Sequence, residues 1–471
     1  MTIVNRTSFL FAALALAACG PGGSGTTVDA DPAHVIDADP AHLTPMLIPG
    51  GGVSTGPVSG SLAVYVIQPG GSTPIAGAQV RIGAADAAAP LTATTDATGL
   101  ALFMDASLTG PQTITATATG RAAATWIGVT GANTTIPLAP LPNPVQIAKA
   151  SGTITGWDSL PAPSSFSHYN LAVILSTFTD DVGGPENNIT QPTASGTPVN
   201  TCLTTAVSAD PCAWQLVTRT GQQRHVAVIV DGNTNGTSND TTDDTYTLIG
   251  YAIGPSATLT ANQQVTGENL AILPANQLAS FQVSFPAAPA GLPTQVAIPM
   301  LDLGADGRIP FPLPTITPSK NTIQVIKNSG AYAGSYMVVG LATPSTTKNT
   351  PYSTTIAAAA TSPATLGAWL PAPTQVTGTG GAYAFTAAAG ATLHSASFAR
   401  ADGATIWTVS LLDGSSSFHL PALTPDPLGT GALKLTVTAA DVPGFDAAGF
   451  TVDELTTGLR RAAGATASIT H

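Results

Sequence analysis

The sequence predicts an all-β protein, several antiparallel β-sandwich domains in tandem behind a signal peptide and flexible tether. Three observations lead there. The 48 Gly and 39 Pro in 471 residues interrupt the chain too often for long helices. Between them run short Val/Ile/Thr/Leu segments, which fit a pleated, half-buried surface. Hydrophobic residues make up 44% of the chain and charged residues 8%, enough apolar surface for packed cores. Strands of this kind bury one face each between two sheets.

The first segment, residues 1–18, has Arg6 ahead of an apolar run from Ser8 to Ala18, closed by Leu16-Ala17-Ala18-Cys19-Gly20. The run is too short to span a bilayer and has the small-residue ending of a secretory signal. With a cysteine after Leu-Ala-Ala, it resembles a bacterial lipoprotein signal peptide. The resemblance implies cleavage before Cys19 and lipidation of that residue. It also implies export and a membrane partnership through the lipid anchor. Gly20 and Pro21 follow the cysteine where an inner-membrane retention signal would place Asp, so the implied address is the outer membrane. Several acyl chains hold a protein firmly, since each buried methylene contributes about 0.8 kcal/mol.

Residues 19–57 read as a flexible acidic tether. A Gly-rich start leads into Asp29-Ala30-Asp31-Pro32-Ala33-His34, repeated as Asp37-Ala38-Asp39-Pro40-Ala41-His42. Acidic residues beside proline favour extended chain. A duplicated spacer explains this repeat better than a metal site, because no fold holds its His and Asp side chains in geometry.

Residues 58–140 alternate as strands from Ser61 to Ile67. They continue with Pro74-Ile75-Ala76-Gly77-Ala78-Gln79-Val80, then Thr95-Asp96-Ala97-Thr98-Gly99 before Leu100, then the Thr/Ile-rich run from Thr113 and the turn Gly120-Arg121. Gly77 suits a turn where a Cβ would obstruct, and Asp96 and Gly99 build the turn that starts the next strand. The segment resembles the carboxypeptidase regulatory-like domain, related to transthyretin and starch-binding-like modules. That resemblance implies a seven-stranded sandwich.

Residues 145–273 read as a second sandwich, with strands at Tyr169–Leu175, Val226–Val230 and Tyr246–Ile253. Cys202 and Cys212 straddle Asp210-Pro211, which in an oxidising compartment reads as a disulfide across a turn. Zinc is disfavoured because no partner His or Cys sits at ligand spacing. Asp231-Gly232-Asn233-Thr234-Asn235-Gly236 matches the opening of a calcium loop, in which alternate oxygens converge and the sixth-position glycine permits a sharp turn. The ligands would be Asp231, Asn233, Asn235, the carbonyl of Thr237 and Asn239. Position twelve is Thr242 instead of a bidentate Glu, with Asp240, Asp243 and Asp244 nearby as substitutes. The same residues also serve a polar turn that binds nothing.

Residues 274–471 read as a C-terminal β-rich domain, with strands near Ile323, Tyr336, Tyr383, Ile406 and Leu433. One helix signal interrupts them. Thr451-Val452-Asp453-Glu454 fits a capping box, with Arg460-Arg461 expected near the helix end.

The net charge of −12 and the lack of a basic cluster beyond Arg460-Arg461 disfavour nucleic acid and leave no polybasic patch for lipid headgroups. Removing residues 1–18 takes away one arginine and no acid, so the processed chain is one unit more acidic. Catalytic signatures for zinc proteases, serine hydrolases, phosphate loops and dinucleotide binding do not occur. The seven histidines are scattered, and His168, His225, His394 and His419 sit beside strand residues, where hydrogen-bonded structural roles are commonest. The expected function is a non-enzymatic, lipid-anchored envelope protein that presents its domains for adhesion, binding or envelope structure. A partner would be a glycan or another envelope protein. Two alternatives are a carbohydrate-binding surface protein, with Trp126, Trp157, Trp214, Trp369 and Trp407 available for stacking, and an extracellular hydrolase with an unrecognised site.

Overall fold

The computed structural model describes residues 43–54, 56–141, 145–179, 212–237, 243–311, 316–345, 348, 350–401 and 403–471, and the backbone of 201–204. The regular secondary structure of the described chain is almost entirely strand, with short 3-10 turns and one short α-helix at Val452–Gly458. It divides into two compact units. One combines the described residues before Pro144 with Thr343–Thr354 and Trp369–His471, and the other combines Pro144–Ala342 with Thr355–Ala368.

In the first of these, seven strands between Ser59 and Pro137 form two sheets. Ser59–Ile67 pairs antiparallel with Leu100–Thr109 and parallel with Asn133–Pro137. Facing them, Gln79–Ile82 lies between Leu91–Thr94 and Gln112–Thr117, which pairs with Ala123–Val129. Leu62, Val64, Val66, Val80, Ile114 and Ile136 fill the space between. The turns follow the sequence logic. Asp96 Oδ1 accepts hydrogen bonds from the Thr98 N–H (2.8 Å) and the Leu100 N–H (3.0 Å). Gly99, at φ +77°, packs so closely that a Cβ would lie 2.7 Å from the Val66 carbonyl oxygen.

The facing sheet continues through a parallel pairing of Ala123–Val129 with Thr405–Leu411, then Leu393–Ala399, Ala432–Asp441 and Arg461–Thr470. A three-stranded sheet of Thr374–Thr379, Ala382–Thr386 and Ser417–His419 belongs to the same unit, and Phe398, Trp407, Tyr383 and Phe418 share one core. The capping box is present: Thr451 Oγ1 accepts from the Glu454 N–H, and Glu454 Oε2 accepts from the Thr451 N–H. Arg460 and Arg461 do not lie in the helix, which ends at Gly458. Arg461 opens the last strand and pairs with Asp441 at 2.6 Å.

Two boundaries differ from those expected. The tether reaches less far than residue 57, because Gly52–Val53 is a strand between Asn133–Pro137 and Phe450–Thr451. Upstream of it, Met46 N–H donates to Asn133 Oδ1 and Ile48 N–H to Thr135 Oγ1. Gly52 makes this insertion feasible, since a Cβ there would overlap the Phe450 carbonyl. Residues 274–471 are also not one domain: Trp369–His471 groups with the N-terminal sandwich, and most of 274–342 with 144–273. Long-range strand pairing set these boundaries, and no linker composition marks them.

In the unit built on Pro144–Ala342, seven strands form one sheet in the order Thr201–Thr204, His168–Ser176, His225–Asn233, Thr245–Ile253, Gln264–Ile272, Ile147–Thr155, Cys212–Arg219. The two edges meet, Cys212–Arg219 touching both His168–Ser176 and Thr201–Thr204, so the sheet closes on itself like a small barrel. Alternation splits His225–Asn233 between two cores. Ala227 and Ile229 join Trp214, Trp157 and Leu270 inside the barrel. Val226 and Val228 join Tyr251, Phe281, Phe311 and Val325 in a second core, shared with Leu278–Ser284 and Thr322–Ile326.

Candidate functional site

The Asp231 loop joins His225–Asn233 to Thr245–Ile253. Both carboxylate oxygens of Asp231 lie against His168 Nδ1 on the neighbouring strand, at 2.9 and 3.0 Å. Asn233 Oδ1 accepts from the Asn235 N–H, and Asn235, at φ +51°, donates through Nδ2 to the Asp243 carbonyl. Thr237 Oγ1 donates to the Asp243 carboxylate at 2.8 Å. The structure therefore brings Asn233, Asn235, Thr237 and Asp243 into one hydrogen-bonded turn, while Asp231 engages His168. Asn239, Asp240 and Thr242 lie outside the described residues, as do Cys19 and the side chain of Cys202. Cys212 is disulfide-bonded. Among the described residues no group of three His, Cys, Asp or Glu side chains is placed to hold a metal. Tyr169 OH donates to Tyr246 OH, which donates to Asp244 Oδ2. Burial first, then these neighbours, pushes the Tyr246 hydroxyl far above its ordinary range.

A second polar centre lies where the barrel meets the Gly304–Asp306 turn. Asp306 accepts from Arg224 Nε (2.6 Å), Gln222 Nε2 (2.8 Å) and Ser256 Oγ (2.5 Å). Burial alone would raise the Asp306 carboxyl, but the hydrogen bonds from Ser256, Arg224 and Gln222 outweigh it and hold the group below the usual carboxylate range. Alongside, Arg219 donates to the Thr177 carbonyl and the Gln222 carbonyl. The arginines are spent on fixing one strand bundle to the next, and the arrangement works as a brace.

Inside the barrel, His225 Nδ1 and Glu268 Oε2 are 2.5 Å apart, with His225 fully buried and Glu268 7% exposed. Glu268 reaches this position through a bulge. Val265 pairs with Ala150 and Glu268 with Gly152, so three steps on one strand oppose two on the other, and Gly267 takes φ +77°. Bulges of this kind re-aim a side chain. Trp214 lies over the imidazole, ring centroids 5.4 Å apart. Sequence reasoning placed His225 beside a strand and missed its partner. The signal was Glu268, which shares the inward parity of Leu270 two residues on. The imidazole is fully buried and the carboxylate nearly so.

Four of the five tryptophans, Trp126, Trp157, Trp214 and Trp407, are buried, and Trp369 is half-buried. The stacking platform considered for carbohydrate is therefore not formed by these four rings. His394 is buried, accepting from the Ala388 N–H through Nε2, and burial depresses its basicity. His419 is exposed.

No family model matches the chain, and no curated protein does. Among solved structures, it is similar to a leucine-rich repeat protein from Bacteroides thetaiotaomicron (12% identity, 45% of this chain and 26% of that one, TM-score 0.16). It is also similar to the Bacillus anthracis TIE protein (7%, 65% and 49%, TM-score 0.16) and to BcpA, the major pilin subunit of Bacillus cereus (11%, 59% and 87%, TM-score 0.17). The chain spans about a quarter of the length of the first and half of the second. At these TM-scores the likenesses carry no functional argument, and the architecture of the chain rests on its own strand pairing.

Proposed function

We propose that this is a non-enzymatic, lipid-anchored envelope protein whose tandem β-sandwiches serve adhesion, binding or envelope structure at the cell surface. One observation carries the reading: among the described residues, three ion pairs tie strands to one another or to an adjoining turn. Arg224 and Asp306, His225 and Glu268, and Arg461 and Asp441 pair with each other at or beneath the surface. Rigid, cross-braced sandwiches suit a presenting role, and the signal-like segment ending at Cys19 supplies the anchor. In this reading the first sandwich is a carboxypeptidase regulatory-like domain, supported by its seven strands and by Gly77 at φ +76° in the Pro-x-x-Gly-Ala turn. The Cys212 disulfide takes Cys202 as its partner, a pairing favoured by the contact between the two edge strands that carry them. Calcium binds the Asp231 loop, drawing on Asp231, Asn233, Asn235, Thr237 and Asn239 with Asp243 close by. The experiment is protease treatment of intact cells. Digestion of the protein without lysis is the expected result, and protection until lysis would remove the surface-presentation reading.

A further inference from the structure

We propose that the cleft beside the Val452–Gly458 helix is a saccharide site, taking one sugar unit of a neutral glycan. It deepens the binding role proposed above and rests on that reading only for its place at the cell surface. Strand register builds its floor. Ser397 stands opposite Thr408, and Ser395 opposite Ser410. On the other side of Thr405–Leu411, Ala124 stands opposite Thr408 and Trp126 opposite Ser410. Period-two alternation turns Phe398 and Trp407 into the core behind and leaves these six side chains together on the opposite face. They line one cleft of about 70 Å³, walled by Phe450, Val452 and Leu455.

Two features of the cleft select its ligand. The first is a set of polar groups left open. Elsewhere in the same sheet, facing hydroxyls satisfy one another, Thr115 with Thr125 at 3.0 Å and Thr436 with Thr466 at 2.9 Å. The hydroxyls of Ser395, Ser397, Thr408 and Ser410 have no partner among the described residues, and all four residues are half-buried. Trp126 is 7% exposed, and its indole N–H also lacks a partner among the described residues. The unpartnered Nε1 atoms of Trp157, Trp214 and Trp369 are shut off from solvent, and that of Trp126 is not. A hydroxyl both donates and accepts, so the complementary ligand carries groups that do both, as a sugar does. The second feature is charge. No Asp, Glu, Lys, Arg or His lines the cleft, so an ionised ligand would find no counter-charge there. The rest of the wall is apolar and suits the C–H groups of a sugar ring. At roughly 10–15 Å³ for each enclosed water, the cleft has room for several, which one sugar unit would displace. Recognition is by hydrogen bonds, and the buried Trp126 ring serves as wall instead of stacking platform.

Affinity electrophoresis of the full chain carrying Cys19→Ala tests the site apart from the anchor. At least one of dextran, galactomannan and hydroxyethyl cellulose in the gel should retard the protein, and alginate, which is anionic, should not. Combining Ser395→Ala, Ser397→Ala, Thr408→Val and Ser410→Ala should weaken that retardation at least tenfold with a cooperative melt retained. Thr408→Val alone keeps the side-chain shape, should weaken it roughly threefold, and decides the matter if the fourfold variant does not fold. No retardation by any of the three neutral polysaccharides would overturn the proposal, as would equal retardation by alginate. Unchanged retardation of a folded variant would also overturn it, and so would binding of decanoate with no binding of saccharide. None of these outcomes bears on surface exposure, which protease treatment of intact cells reads separately.

Discussion

At the residue scale, single groups in this protein are governed by what burial does to them. His394 is the clearest titrating case. Burial lowers its folded-state basicity beneath the ordinary histidine value of about 6.5. Above that value the imidazole is neutral in both folded and unfolded chain and contributes no pH dependence. As pH falls below it, the unfolded chain takes up the proton first, so stability declines until the lowered folded value is reached. The melting temperature of wild type should therefore fall between pH 7.5 and 5.5 more than that of His394→Leu. The variant itself loses the acceptor for the Ala388 N–H, a cost of about 1 kcal/mol that does not depend on pH. Equal slopes for the two proteins would contradict the assignment. Gly152 is a case of pure packing. A Cβ there would overlap the Glu268 carbonyl, so Gly152→Ala should destabilise by the upper end of the roughly 1–3 kcal/mol of overpacking, read by denaturant titration. A shift below about 0.5 kcal/mol would mean that the parallel pairing of these strands is looser than described.

At the scale of elements, local chemistry was legible and long-range pairing was not. The segments around Ser61, Tyr169, Val226, Tyr246, Ile406 and Leu433 read as strands from short apolar or alternating runs, and the structure has strands at each. The Thr451–Glu454 capping box is likewise a four-residue signal and is present as read. The helix stops before Arg460 because Leu459 leaves helical geometry and the chain turns into the strand paired with Asp441. The brace at Asp306 had no sequence signature, since Arg224 lies 82 residues away and only the fold brings them together. The same holds for His225 and Glu268, 43 residues apart. The Asp231 loop lies between these cases, because its spacing is readable while residues 238–242 lie outside the described residues. If calcium binds there, it binds the folded chain preferentially and raises its melting temperature. Melting the full chain at millimolar calcium and then with chelator should give a higher midpoint with the metal. An unchanged midpoint would return the loop to a turn held by Asn233, Asn235 and Asp243.

For the whole molecule, composition fixed the class and chain order misled about the units. Low charge with abundant Gly and Pro pointed to sandwiches, and the described chain is built of sheets throughout. The expectation that units follow one another along the sequence did not hold, because strands near Ala123 and Thr405 pair directly and draw the N-terminal sandwich and the last hundred residues into one body. The proposed role depends on where such bodies are held, and that depends on Cys19. Replacing Cys19 with Ala and fractionating the cells tests this most directly. The account predicts that wild type is found in the membrane fraction and that Cys19→Ala accumulates unlipidated, outside it. A variant that is processed normally and stays with the membrane would contradict the lipid anchor and the surface role built on it.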